Sequence, residues 1–149
     1  MKNIRTSLME LLKSGYCAPR IANLAAKLKE PSTTIHYNLR QMEKDGIIKT
    51  YKAVLDYKRV DEGLCSFVLV NLSPDEYTDP ERIAKSLAKL GNIESVDMLS
   101  GEWDMLIKVR TKDTDEYYQF VRRVLQQKGV AKINTLNSLK QIKTEFVEV

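Results

Sequence analysis

The chain has 149 residues, 43% apolar and 30% charged, the proportions of a soluble globular protein with room for one ordinary domain or two small ones. No apolar run approaches the ~18 residues of a membrane span, the charged first residues do not read as a signal peptide, and Cys17 and Cys65 with a single histidine cannot form a zinc site; the expectation is a cytoplasmic protein with two reduced thiols and no metal or other cofactor. The net charge of +4 is uneven: residues 1–60 hold 12 Lys/Arg against 5 Asp/Glu and residues 61–149 hold 12 against 15, which suggests a basic nucleic-acid module followed by a separate partner module.

In chain order, the apolar spacing predicts a first helix over Asn3 to Ser14, with Ile4, Leu8, Leu11 and Leu12 on one face and Gly15 as its stop. Pro19 suits the first turn of a second helix, where its missing N–H is no loss. That helix carries Ile21, Leu24, Ala25 and Leu28 inward and breaks at "KEP". Ser32 reads as the N-cap of a third helix whose inner stripe is Ile35, Leu39 and Met42, with Gly46 closing it. The last two helices are separated by only a few residues, the helix-turn-helix arrangement. "IIKTYKAVLDY" then reads as a short strand or wing, and "DYKRVDEG" as a polar linker.

The second module opens on "LCSFVLVNL", apolar at both parities. "DPERIAKSLAKLGN" reads as a helix starting near Asp79, with Ile83, Leu87 and Leu90 inside and Gly91 at its end. "IESVDMLS" and "WDMLIKVR" read as strands flanking a tight turn at Gly101 and Glu102. "DTDEYYQFVRRVLQQKG" reads as a helix with Tyr117, Phe120, Val121, Val124 and Leu125 inward. "VAKINTLNSLKQIKTEFVEV" reads as one long closing strand. Its apolar parity switches between Leu139 and Ile142, which predicts a bulge or a change of partner near Lys140 and Gln141; Phe146 lies on the switched parity. The expected fold is therefore α+β: an N-terminal helix-turn-helix domain at 1–55, a linker at 56–63, and a C-terminal ferredoxin-like βαββαβ domain at 64–149. Two helices cover one face of such a sheet. The apolar run at Leu64–Leu72, with Leu99 and Leu106, implies that a second copy covers the other, as a twofold homodimer.

This order of elements resembles the leucine-responsive/asparagine-responsive (Lrp/AsnC) family of transcription regulators over nearly the whole chain. The resemblance is carried by "IANLAAKL…STTIHYNLRQMEKDGIIKTYKAVLD", by "SGEWDMLIKV", which looks like the family's Gly-x-x-Asp turn, and by "VAKINTLNSL", which looks like its Val-x₄-Thr-x₃-Leu strand. The chain departs from the pattern at its opening "NIRTSLMELL", at "LKEPS" where a glycine is usual, at Val60-Asp61 where Leu-Gly is usual, and at Met42 where leucine is usual.

A helix-turn-helix places its second helix in the DNA major groove. Ser32 stands at the start of the third helix, and Thr33, Thr34, His36, Tyr37, Arg40 and Lys44 fall off its inner stripe, so these seven are the candidate DNA contacts. The threonines can meet a base or a phosphate, Arg40 can grip guanine or phosphate bidentately, and Tyr37 can offer its hydroxyl to the backbone. His36 has no carboxylate or nucleophile among its helical neighbours, so it reads as a DNA-facing or solvated group and not as a catalytic one. Ser100, Gly101, Glu102, Trp103 and Asp104 taken alone read as a hairpin, with Trp103 as its anchor. The resemblance implies more: in this family such a turn and the threonine-bearing strand line a small-molecule pocket between neighbouring dimers. By matching position it assigns Gly101, Asp104 and Thr135 to that pocket, with Ser100, Trp103, Asn134 and Leu136 beside them in sequence. Asp104 would take the ammonium group of an amino-acid effector.

The expected function is thus a sequence-specific DNA-binding regulator, a homodimer or a higher oligomer of dimers, partnered by double-stranded DNA and an amino-acid effector, with no membrane association. One rival is an architectural DNA-coating protein without an effector. A second is an enzyme resembling the sirohaem decarboxylases, for which a single histidine is a poor provision.

Overall fold

The computed structural model describes residues 4–76, 79–126, 128–145 and 147–148. Asn3, where the first helix is predicted to begin, and Phe146, on the switched parity, lie outside the described residues, as does the Leu125 side chain. Within it the chain divides into two compact units, Met1–Leu55 and Asp56–Val149.

The first unit holds α1 (Ile4–Lys13), α2 (Ile21–Leu28) and α3 (Ser32–Lys44). Helix α2 starts at Ile21, so Pro19 stands outside it and Arg20 is its N-cap. It ends on Lys29 in the left-handed conformation (φ 56°), at the place where "LKEPS" lacks a glycine. Ser32 is not the N-cap of α3 but its first helical residue; Pro31, extended at ψ 143°, holds the cap position. A proline can do this because its preset φ leads into a helix while no cap donor is required of it. Helices α2 and α3 pack together and bury Ala25 and Ile35, and Leu39 is half-buried, but Leu24, Leu28 and Met42 are exposed, contrary to their stripes. Ile4, Leu8 and Leu11 of α1 are also exposed.

The predicted wing is not a strand. Residues 47–55 make one isolated bridge, Tyr16 with Tyr51, and Ala53 donates its N–H to the Leu12 carbonyl at 3.1 Å. β-branched composition favours an extended backbone, but a strand also needs a ladder partner, and here the partner is the end of α1.

The second unit follows the expected order. After a 3-10 turn at Tyr57–Val60 come β1 (Leu64–Leu72), α4 (Pro80–Leu87), β2 (Ile93–Met98), β3 (Met105–Thr111), α5 (Thr114–Leu125) and β4 (Val130–Asn137). The sheet order is β2-β3-β1-β4, antiparallel at every pairing, which is the ferredoxin-like arrangement. Both helices begin on an aspartate: Asp79 accepts from Arg82 N–H at 3.2 Å and Asp113 from Glu116 N–H at 2.9 Å. Glu116 reaches back past the N-cap and accepts from Lys112 N–H at 2.6 Å, which ties the preceding residue to the first turn of the helix. The core is one layer between sheet and helices: Val68, Val70 and Leu72 of β1, Met105, Ile107 and Val109 of β3, Ile83 and Leu87 of α4, Phe120 and Val124 of α5.

The closing strand is shorter than predicted. β4 ends at Asn137, and the chain then pairs with itself as a small hairpin, β5 (Lys143–Thr144) with β6 (Val147–Glu148). The parity switch therefore reflects a change of partner and not a bulge. On the helix-free face, Phe67, Leu69 and Leu106 are half-buried and Leu136 is 54% exposed. The chain itself contributes to this face: Thr144 of the hairpin is buried and meets Lys108, which is paired with Phe67.

Candidate nucleic-acid interface and effector region

Helix α3 presents a face that its own inner stripe leaves free. Ser32, Thr33, His36, Tyr37 and Arg40 line an open cleft of about 570 Å³ together with Ile21 of α2 and Gln41. Five of the seven predicted DNA-binding residues are thus gathered into one depression; Thr34 and Lys44 are not among its lining residues. Thr34 lends its carbonyl to the Asn38 side chain at 2.8 Å. Ile21 and Gln41 were not anticipated as members. Gln41 could have been found from spacing, since it follows Tyr37 by one helical turn on the same face.

The cleft suits an anionic, edge-bearing partner. Tyr37 is 63% exposed. The first turn of α3 carries no acidic residue, so the positive end of the helix dipole is unopposed by a side chain of that turn. Arg40 donates its Nε–H to His36 Nε2 at 3.3 Å, one turn back along the helix. The acceptor is a ring nitrogen and not a carboxylate, so the contact does not neutralise the guanidinium charge.

The predicted effector residues are less well gathered. The β2–β3 connection is a six-residue loop, Leu99 to Asp104, wider than the expected two-residue turn and closed by Leu99 N–H on the Asp104 carbonyl at 2.9 Å. Ser100 and Gly101 are exposed at its tip, with Gly101 at φ 130° in a conformation that favours glycine. Asp104 is tied into the fold: its Oδ2 accepts from Leu72 N–H at 2.8 Å, and its own N–H donates to the Val70 carbonyl at 3.0 Å. Trp103 is half-buried, with Lys132 Nζ 5.0 Å from its ring centroid.

On β4 the three candidates divide by face. Thr135 pairs with Val68 on the helix-covered side and shares a hydrogen bond with the Tyr117 hydroxyl at 2.5 Å. Asn134 and Leu136 pair with Leu69 and Phe67 and so point to the opposite side. Burial pushes the Tyr117 hydroxyl above its ordinary value, opposed by the bond to Thr135. Within one chain, therefore, Thr135 does not share a face with Asn134 and Leu136, whereas Trp103 of the loop meets Lys132, which is on their face of β4.

A charged cluster went unanticipated. Glu94 accepts from Lys108 Nζ at 2.8 Å and from Arg110 Nε at 2.7 Å, while Lys108 also reaches Thr144 Oγ1 at 3.2 Å. Tyr57 lies under the Arg110 guanidinium, 3.8 Å from centroid to Cζ, and Arg110 is only 5% exposed. Residues 56–63, which read as a linker, thus belong with the second unit in these contacts. Burial pushes the Glu94 carboxyl up, but the two cations together outweigh it and hold the group below the usual carboxylate range. Burial raises the neighbouring Cys65 thiol against the pull of Arg110 and Lys108. The signal for this cluster was "LIKVR", two cations at even spacing on a strand whose other parity is core. Among the described residues, no three His, Cys, Asp or Glu side chains come together as metal ligands.

A family model described as the Lrp/AsnC ligand binding domain matches residues 65–147. An uncharacterized HTH-type transcriptional regulator of Pyrococcus furiosus is 34% identical over 140 residues, covering 93% of each chain. Among solved structures, an AsnC family transcriptional regulator from Agrobacterium tumefaciens superposes with a TM-score of 0.75 at 22% identity, over 97% of this chain and 94% of that one. A transcriptional regulator from Neisseria meningitidis, solved in complex with L-methionine, gives a TM-score of 0.76 at 27% identity, over 85% and 82%.

Proposed function

Because the chain belongs to the Lrp/AsnC family of transcription regulators, we propose that it is a one-component regulator that binds DNA in a sequence-specific way through α3 and acts as a binding protein rather than an enzyme. The observation that carries this reading is the cleft on α3, where Ser32, Thr33, His36, Tyr37 and Arg40 stand together on a face free of the core. Two hydroxyls, an imidazole, a phenol and a guanidinium supply the donors and acceptors that base edges and phosphates require. The working form is a dimer or a ring of dimers, whose paired α3 helices enter successive major grooves. It acts in the cytoplasm; among the described residues no helix is long and apolar enough to cross a membrane.

A small metabolite changes its assembly or its DNA affinity. An amino acid is the effector class, supported by the methionine complex of the N. meningitidis relative. Its residues are Ser100, Gly101, Trp103 and Asp104 of the β2–β3 loop, with Asn134, Thr135 and Leu136 of β4. Because the two faces of β4 separate these residues, a complete pocket needs a neighbouring subunit to close it.

The test is a titration at fixed salt of wild type and the Thr33→Ala/Thr34→Ala variant against a selected DNA fragment and against mixed-sequence DNA. Loss of base contacts should weaken binding to the selected fragment by about 1–3 kcal/mol and leave mixed-sequence binding nearly unchanged. A wild type that binds both DNAs alike, with a steep salt dependence, would instead support the architectural reading.

A further inference from the structure

Arg40 and His36 are held to one another in the α3 cleft, and the chemistry of that contact selects a base. The guanidinium spends its Nε–H on His36 Nε2 at 3.3 Å. Of the four N–H groups that remain, two, one on Nη1 and one on Nη2, point in parallel from the end-on edge with fixed spacing. The holding group is a ring nitrogen and not a carboxylate, so the contact forms no ion pair that would cancel the arginine's attraction for a polyanion. The acidic residue nearest in sequence on this helix, Glu43, is engaged elsewhere, accepting from the Tyr51 hydroxyl at 2.9 Å.

A phosphate also accepts a bidentate fork, but its oxygens can be approached from many directions around the phosphorus, so it makes little demand on where the fork points. A fork with a set direction suits an edge bearing two acceptors side by side. In the major groove only guanine offers that edge, through N7 and O6. Thr33, Tyr37 and Gln41 line the same cleft as Arg40 and His36.

We infer that Arg40 reads a guanine in the major groove of the operator, and that His36 is the positioning residue that sets the direction of its fork. The inference rests on the reading of α3 as the DNA-binding helix.

The experiment uses the full chain and a duplex carrying its selected sequence, in which each guanine in turn is replaced by 7-deazaguanine. This base keeps its pairing and loses the N7 acceptor. Affinities are measured at fixed salt for wild type, Arg40→Ala, His36→Ala and His36→Gln. Both side chains are exposed, so the variants should keep the wild-type melting temperature.

For wild type, one guanine per half-site should show a loss of roughly five- to a hundredfold on replacement. In Arg40→Ala that loss should vanish. In His36→Ala it should shrink with the salt slope unchanged, and His36→Gln, whose Oε1 can accept from Nε, should recover most of it. A full penalty retained in His36→Ala overturns the positioning role. If no guanine is sensitive, or if Arg40→Ala weakens every duplex by one factor and lowers the salt slope by about one, Arg40 is a phosphate contact; the inference then falls while the reading of α3 stands. If neither Arg40→Ala nor His36→Ala alters binding to any duplex, the reading of α3 itself falls with it.

Discussion

Asp104 shows how one side chain can carry two accounts. The resemblance assigns it to an effector's ammonium group, yet its Oδ2 already accepts from Leu72 N–H at 2.8 Å, fastening the β2–β3 loop to the end of β1. Asp104→Ala should therefore cost about 1–3 kcal/mol in stability by leaving the Leu72 donor unmatched, whereas Asp104→Asn keeps an acceptor and should cost less. Chemical denaturation of the two variants measures this, and equal stability of wild type and Asp104→Ala would contradict the tie. Calorimetric titration of an amino-acid panel into wild type and Asp104→Asn then isolates the charge. A ligand held through this carboxylate should lose about 1.5–3 kcal/mol of affinity, and equal affinities would move the site away from Asp104. Residue roles of this kind were only half legible in the sequence. Spacing found the face of α3, because i, i+3 and i+4 neighbours share a face whatever the fold. It could not find the Tyr117–Thr135 bond, which joins two different elements that only the tertiary fold brings together.

At the scale of elements, the sheet was the most legible part. β1 and its βαββαβ order follow from apolar runs bounded by turn residues, and Asp79 and Asp113 mark the helix starts they were expected to mark. The failures share one cause: a strand is a relation between two segments. "IIKTYKAVLDY" has strand composition but meets only the end of α1. The closing strand runs out of β1 partners at Asn137 and turns back on itself. The cluster that joins β2, β3, the Tyr57 turn and the terminal hairpin has a measurable consequence. The Glu94 carboxyl is held below its ordinary value, so the stability it contributes is complete above an unfolded-state pKa of about 4.3 and is lost as pH falls through the lower folded value. Between about pH 5 and pH 2, the melting temperature of wild type should fall more steeply than that of Glu94→Gln, and the two curves should converge in acid. Parallel curves would mean that the bridges at 2.7 and 2.8 Å contribute nothing to stability. Glu94→Ala, which strands the buried Arg110 guanidinium and removes one partner of the half-buried Lys108, should cost about 3–5 kcal/mol at neutral pH.

At the scale of the molecule, the chain is two units with different provisions. The first has a thin core and leaves Ile4, Leu8 and Leu11 exposed; the second has a full layer between sheet and helices, and a helix-free face where Phe67, Leu69, Leu106 and Leu136 stay within reach of solvent. A second copy packed on that face is the proposed cover, so light scattering at micromolar concentration should give the full chain a mass at least twice its 17.1 kDa, and the fragment Asp56–Val149 should remain dimeric. A monomeric fragment would contradict sheet-to-sheet pairing. Whether the whole assembly is a metabolite-responsive reader of DNA is tested most directly by selecting bound fragments from a random duplex pool with the full chain, with and without a mixture of amino acids. The account predicts a shared motif with half-sites about one helical turn apart, or a multiple of it, and a change in the bound fraction or the length of the selected sites when amino acids are present. A pool that stays random in sequence, and is indifferent to amino acids, would contradict it.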